Sequence, residues 1–273
     1  MRKILYVSDL DGTLLQSDQT VSKKSADMIN ELINKGICFS YATARSLLTS
    51  KKVTENLKGN IPVIVYNGTF VVDKKSEKIL IGHYFGKEII DFIQELCSYQ
   101  IYPIVYAYID GVERFSYLKG KETEGMKEFF KTRPNDPRTR VVESLSELIE
   151  GEIFYVNCID ENEKLYPFYA KYKHVYHCVY DEDLYSKNQW FEIMPKGVSK
   201  ANAIRELKAQ LNCDYVIAFG DGRNDIEMFM EADECYAVSN ACEELKKIAT
   251  GIILSNNEDA VAKMILKKEA TYK

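Results

Sequence analysis

Apolar residues recur along the chain with two alternating periods. A short run, Ile4-Leu5-Tyr6-Val7, reads as a buried strand ending in Ser8-Asp9-Leu10-Asp11-Gly12-Thr13. Ser22 can cap a helix in which Met28, Ile29, Leu32 and Ile33 fall at helical spacing, and Gly36 ends it. A second strand, 37–42, leads through Thr43-Ala44-Arg45-Ser46 into a helical pattern carried by Leu47, Leu48, Val53 and Leu57. A third apolar run, 62–66, stops at Asn67-Gly68. Alternation of strand and helix predicts a parallel sheet, and ligands of such sheets gather beyond the carboxyl ends of the strands.

From residue 69 the order changes. Segments 69–72 and 78–85 read as a hairpin around Asp73-Lys74-Lys75-Ser76, and Ile89, Ile90, Ile93 and Leu96 mark a helix. Strands 101–109 and 112–118 are joined by Asp110-Gly111, a hairpin dipeptide. Helical stretches follow at 122–131 and 144–150, the second opened by a Ser144-x-x-Glu147 capping box. Strands 152–159 and 174–180 then flank a helix at 161–173. Strict alternation returns with a strand at 190–194, a helix at 199–211 and a strand at 215–219 that enters Gly220-Asp221-Gly222-Arg223-Asn224-Asp225. Helix, strand, helix, strand and helix continue to about 268, with 252–254 the last strand. The pattern predicts an α/β protein. A Rossmann-like parallel-sheet core spans 1–82 and 186–273, with an α+β domain inserted at 83–185.

Composition narrows the function classes. Thirty-six basic residues against forty-one acidic ones give a net charge of -5, which argues against a nucleic-acid surface. Met1-Arg2-Lys3 and the following apolar residues superficially resemble the start of a leader, but Asp9 interrupts before a useful apolar length has formed. No segment has the apolar length of a membrane span, so the expectation is a cytoplasmic protein without a membrane partner. Cys38, Cys97, Cys158, Cys178, Cys213, Cys235 and Cys242 are dispersed, without a Cys-x-x-Cys pair, and are expected as buried free thiols. The three histidines, His83, His174 and His177, lack a metal-ligand grouping with acids. The nineteen tyrosines are expected mainly to pack core and surface.

Four clusters at predicted strand ends carry candidate chemistry: Asp9 with Asp11, Thr43, Lys200 behind Gly197-Val198-Ser199, and Asp221 with Asn224 and Asp225. An ionised carboxylate at a strand end must be hydrogen-bonded, paired or bound to a metal, so Asp9 and Asp11 point to an Mg2+ site. Acids for a metal, a hydroxyl, a lysine and glycine turns suit phosphoryl transfer, in which an aspartate can act as nucleophile. Each has a plainer alternative. Asp11-Gly12 can simply make a turn, Thr43 can cap a helix, and Asp221 and Asp225 can be turn and cap residues. Lys200 can be a solvated first-turn lysine, with Lys196 as competitor. Asn67-Gly68 is first a turn signal, Asn240 is a candidate supporting residue after the strand ending at Val238, and Arg45 is expected to salt-bridge or fix a loop.

Together, Asp9-Leu10-Asp11-Gly12-Thr13, Thr43, Lys200 and Gly220-Asp221-Gly222-Arg223-Asn224-Asp225 resemble the four motifs of the haloacid dehalogenase superfamily, within it the Cof-like sugar-phosphate phosphatases with a large α/β cap. The resemblance covers the whole chain, with the cap between the second and third motifs. It departs at Ala44, where the family's second motif often has glycine. It implies an Mg2+-dependent phosphatase for a small phosphate ester, a sugar phosphate, with specificity set by the inserted cap. Asp9 is then the nucleophile that becomes an aspartyl phosphate, and Asp11 the acid and later the base. Thr43, with amides at the Gly12 and Ala44 loops, holds phosphate oxygens, and Lys200 neutralises charge on Asp9 and the phosphoryl group. Mg2+ sits between Asp9, the Asp11 carbonyl and Asp221, with Asn224 and Asp225 ligating or orienting. Asn67-Gly68 also matches a family loop near the phosphate. Two other readings stay open: a phosphotransferase or mutase using the same aspartyl phosphate, and a non-catalytic metabolite-binding protein on this scaffold. The aspartate at position 11 argues against a calcium-pump-like ATPase, which carries threonine there, and against true dehalogenation.

Overall fold

The computed structural model describes residues 2–182 and 188–271. In chain order the elements are β1 (Ile4–Asp9), α1 (Lys23–Asn34), β2 (Cys38–Ala42), α2 (Leu47–Val53), β3 (Pro62–Val65), β4 (Phe70–Asp73) and β5 (Ile79–Gly82). Then follow α3 (Glu88–Ser98), β6 (Ile104–Ile109), β7 (Val112–Leu118), α4 (Glu124–Lys131), β8 (Thr139–Val142), α5 (Leu145–Leu148), β9 (Glu152–Asp160), α6 (Asn162–Tyr172), β10 (His177–Glu182) and β11 (Gln189–Met194). The chain closes with α7 (Lys200–Gln210), β12 (Tyr215–Gly220), α8 (Ile226–Glu231), β13 (Glu234–Val238), α9 (Glu243–Ile248), β14 (Gly251–Ile253) and α10 (Ala260–Thr271).

Two compact units result, one of Met1–Gly82 with Ser199–Lys273 and one of His83–Val198. The first holds an eight-stranded sheet in the order β14-β13-β12-β1-β2-β3-β4-β5. Its strands run parallel from β14 to β3, and β4 and β5 turn back antiparallel at one edge. β1 is buried along its whole length, as its continuous apolar run requires of a central parallel strand. Leu5 and Val7 pack with Ala203, Ile204 and Leu207 of α7, and each leucine, isoleucine or valine removed from water contributes about 1.5–3 kcal/mol. All six parallel strands end on the same side, which brings the loops after β1, β2, β3, β12 and β13 to one rim.

The second unit holds a six-stranded sheet in the order β10-β11-β9-β6-β7-β8. Ile89, Ile93 and Leu96 of α3 and Leu165 and Phe168 of α6 pack with Val105, Val156, Cys158, Phe191 and Ile193 on one face. α4 lies on the other, where Phe129 meets the rings of Phe115 and Trp190.

Two expectations are corrected. Residues 190–194 were assigned to the parallel core, but β11 pairs antiparallel with β10 and β9 in the second sheet. The second boundary therefore lies at Val198/Ser199 and not at 185/186, which falls among residues outside those described. The reason is legible in the strand: Trp190 and Glu192 alternate with Phe191 and Ile193, the pattern of a sheet with two different faces and not of a doubly covered parallel strand. The short strand β8 was not anticipated; it extends the sheet parallel to β7 through Thr139-Arg140-Val141-Val142.

Candidate active site

Asp9 closes β1 and is only 5% exposed. The chain then turns at Gly12, where φ is +78° and a Cβ atom would lie 2.3 Å from Asp221 Oδ2. Glycine here serves both the left-handed conformation and the close approach of the Asp221 loop. The same loops are tied together by Thr13, whose hydroxyl donates to Asp221 Oδ1 at 3.0 Å. Asn240, after β13, donates to the Gly12 carbonyl at 2.8 Å and accepts from the Asn256 amide at 3.0 Å.

Lys200 is the first residue of α7, behind the N-cap Ser199, whose hydroxyl accepts from the Asn202 amide at 3.1 Å. A lysine at a helix N-terminus opposes the helix dipole. Carboxylates compensate: Lys200 Nζ donates to Asp9 Oδ1 at 2.6 Å and to Asp225 Oδ1 at 2.8 Å, with all three residues buried. Asp225 Oδ2 accepts from the backbone amides of Asp221, 3.0 Å, and Gly222, 3.2 Å, so both its oxygens are engaged. Lys196, the competitor, is exposed.

Carboxylate oxygens of Asp9, Asp221 and Asp225 lie within 4.8 Å of one another. Burial pushes the Asp9 carboxyl well above its ordinary range; Lys200 opposes this, and the charges of Asp225 and Asp221 add to it. Burial, then Asp225, pushes Asp221 up to about 6. Against burial, Asp225 and Asp9 hold the Lys200 ammonium firmly protonated. Two buried carboxylates thus share one ammonium, with the half-buried Asp221 carboxyl close by. A hard cation with oxygen preference fits that excess charge and donor set. Asn224 is exposed, with Oδ1 beside Gly222, and Asp11 stands outside the trio.

Thr43 directly follows β2 and is 1% exposed. It does not cap α2: that role belongs to Ser46, whose hydroxyl accepts from the Thr49 amide at 3.2 Å. The Thr43 hydroxyl instead accepts from the Arg45 amide at 3.1 Å, shaping the turn on which Ala44 is exposed. The neighbouring loop locks onto it: the Asn67 amide donates to the Thr43 carbonyl at 2.9 Å and the Tyr66 amide to the Arg45 carbonyl at 3.0 Å. Tyr66, Asn67 and Gly68 are consecutive left-handed residues, with φ of 51°, 54° and 103°. A Cβ on Gly68 would strike the Ser199 carbonyl oxygen at 2.2 Å, so glycine lets this loop abut the start of α7. Arg45 reaches across to Asp11, donating from Nε and Nη2. The resulting site holds a buried carboxylate at the end of β1, a fixed ammonium, three acids whose oxygens could hold a cation, and a second carboxylate paired with arginine.

Known proteins match along the whole chain. The chain is 25% identical over 269 residues to 5-amino-6-(5-phospho-D-ribitylamino)uracil phosphatase YitU of Bacillus subtilis, with 96% of each chain covered. It is 28% identical over 279 residues to chloroplastic endoribonuclease YBEY of Arabidopsis thaliana, where it covers 97% of this chain but spans only 46% of that longer protein. The solved structure of TM0651 from Thermotoga maritima superposes with a TM-score of 0.80 at 28% identity, covering 98% of this chain and 97% of the other. Among the described residues, no helix is long and apolar enough to cross a membrane. Residues 6–265 match the haloacid dehalogenase-like hydrolase family, and with the site just described the chain belongs to that family.

Proposed function

We propose that this phosphatase releases phosphate from a small phosphorylated metabolite, a sugar or polyol phosphate, with Mg2+ and through an aspartyl phosphate on Asp9. The observation that carries the reading is the polarised state of Asp9: Lys200 and its partner Asp225 fix Oδ1, which leaves Oδ2 as the attacking atom at the strand end. Attack of Oδ2 on phosphorus forms the Asp9–phosphorus bond as the ester P–O bond breaks. Asp11 gives its proton to the departing oxygen, then takes one from the water that cleaves the aspartyl phosphate and frees inorganic phosphate. Thr43 and the backbone at Ala44 and Gly12 hold phosphoryl oxygens, and Lys200 offsets their charge. Asp9, Asp221 and the Asp11 carbonyl would hold Mg2+, with Asp225 orienting Asp221 and Asn224 completing the outer contacts. The cation supplies neutralisation of the phosphoryl charge.

The ribityl phosphate named for the Bacillus relative supports a polyhydroxylated monoester as substrate. We assign selection of that ester to residues 83–198 and the protein to the cytoplasm, in keeping with its seven free thiols. The test is phosphate release from a panel of sugar and polyol phosphates with Mg2+. Turnover by Asp9→Asn at the wild-type rate would sink the mechanism.

A further inference from the structure

The loop after β13 touches both acidic loops of the site at once. Asn240 Nδ2 donates to the Gly12 carbonyl at 2.8 Å, and two residues later the Cys242 amide donates to the Asp221 carbonyl at 2.9 Å. Asn240 is itself held from behind. Its Oδ1 accepts from the Asn256 amide at 3.0 Å, and the Asn256 side chain donates to the Leu15 carbonyl at 2.9 Å. The turn from Gly12 to Leu15 is thus pinned at both ends by the loops that follow β13 and β14.

Both partners of the Asn240 side chain are backbone groups with one role each. A carbonyl only accepts and an N–H only donates, so the amide has a single orientation. Asn240 is exposed and fills no core position, so its contribution is directional. What it fixes is the peptide between Gly12 and Thr13. The carbonyl and the N–H of a planar trans peptide point in opposite directions, so a carbonyl anchored on Asn240 also sets the direction of the Thr13 amide. These loops need such anchors. Gly12 approaches so closely that a Cβ there would strike Asp221 Oδ2, and the charges of Asp225 and Asp221 bear on Asp9. Like charges gathered in one site push the loops apart. Thr13 to Asp221, Asn240 to Gly12 and Cys242 to Asp221 are ties that oppose this.

We propose that Asn240 is a positioning residue: through the Gly12 carbonyl it aims the backbone that receives the phosphoryl group, and so sets phosphoryl affinity and turnover. The assignment rests on the phosphatase reading above, in which the backbone at Gly12 holds phosphoryl oxygens.

The test compares wild type with Asn240→Asp, Asn240→Ala and Asn257→Ala. Asn240→Asp keeps the acceptor for the Asn256 amide and loses the donor to Gly12; Asn240→Ala loses that donor without adding charge. Asn257→Ala is the control, removing ties beyond the turn, where Asn257 Oδ1 accepts from the Ser17 amide and Nδ2 donates to the Ser17 hydroxyl, each at 2.9 Å. Both Asn240 variants are expected to lower kcat/KM for p-nitrophenyl phosphate about ten- to hundredfold and to weaken inhibition by orthovanadate as much. Their melting temperatures stay within about 2 °C of wild type. Asn257→Ala keeps kcat/KM within about twofold. Lower melting of the Asn240 variants with unchanged kcat/KM and vanadate inhibition overturns the proposal, as do equal kinetic losses in all three variants. A loss confined to Asn240→Asp is repulsion by the new carboxylate and overturns it too. If wild type releases no phosphate from any ester, the phosphatase reading falls, and calorimetric titration with orthovanadate and Mg2+ decides the positioning role. Binding about tenfold weaker in Asn240→Ala than in wild type supports it; equal binding, or none by wild type, overturns it.

Discussion

Arg45 holds Asp11 in a two-pronged grip, Nε to Oδ2 at 2.8 Å and Nη2 to Oδ1 at 2.5 Å. Both side chains are partly exposed, so the pair contributes at most about 1 kcal/mol to stability. Its main effect is on where the Asp11 carboxylate points. Arg45→Ala is therefore expected to lower kcat by about five- to tenfold, with a melting temperature close to wild type. Arg45→Lys, which offers a point charge without the fork, falls between the two. Steady-state kinetics beside a thermal melt check this, and a large loss of stability without a kcat effect would refute it.

The two carboxylates of the opening loop separate experimentally. Asp9→Asn is expected to reduce phosphate release at least about a thousandfold and to weaken Mg2+ binding. Asp11→Asn slows turnover strongly, by roughly a hundredfold or more, yet keeps Mg2+ affinity within a few-fold, because only its backbone carbonyl is assigned to the cation. Calorimetric Mg2+ titration of both variants decides; equal loss of binding defeats the division of roles.

Lys200 bridges the buried carboxylates of Asp9 and Asp225, so its removal strands their charge. Lys200→Met is expected to destabilise the fold by about 3–5 kcal/mol without divalent cation. Added Mg2+ raises its melting temperature more than that of wild type, since a ligand of the folded state stabilises by mass action. Equal Mg2+ shifts in the two proteins would speak against a cation at this trio.

Asn67 tests backbone against side chain. Its φ of 54° lies between those of Tyr66 and Gly68, and all three are left-handed. If the residue only makes the turn, Asn67→Gly is neutral and Asn67→Val costs about 1–3 kcal/mol. A fall in kcat/KM for Asn67→Gly at unchanged stability assigns the side chain to the phosphate end of the site.

Lys74 gives a stability-against-pH signature outside the site. Its ammonium donates to the carbonyls of Thr54 at 2.6 Å and Leu57 at 2.8 Å, just beyond α2. Burial, with a smaller push from Lys51, brings it from 10.5 down to about 8. Between those values the unfolded chain keeps a proton that the folded chain has released, so this lysine makes stability rise with pH there, and contributes no slope below about 8. The difference between wild type and Lys74→Met, measured by denaturant titration, should grow in favour of wild type by roughly 1 kcal/mol per pH unit across that window. A flat difference would refute it.

The parallel core and the positions of Asp9, Thr43, Lys200 and Asp221 were readable because chemistry-bearing residues stood where apolar runs stop. Membership of β11 was not, since a short strand's sheet is chosen by partners, and those of β11 lie in β9 and β10. Arg45 could be named but its partner could not: Asp11 lies 34 positions away, and their meeting depends on the shapes of two loops.

The position of β1 between β2 and β12 has a consequence for biosynthesis. β2 emerges from the ribosome soon after β1, but the other neighbour, Tyr215–Gly220, is translated only after the whole second unit. At about 5–20 residues per second, one edge of this buried strand stays open for roughly ten to forty seconds. Over the same interval Asp9 has no Lys200 beside it. The half-made chain is therefore the aggregation-prone species, and holding chaperones have their natural client in this intermediate and not in the finished protein.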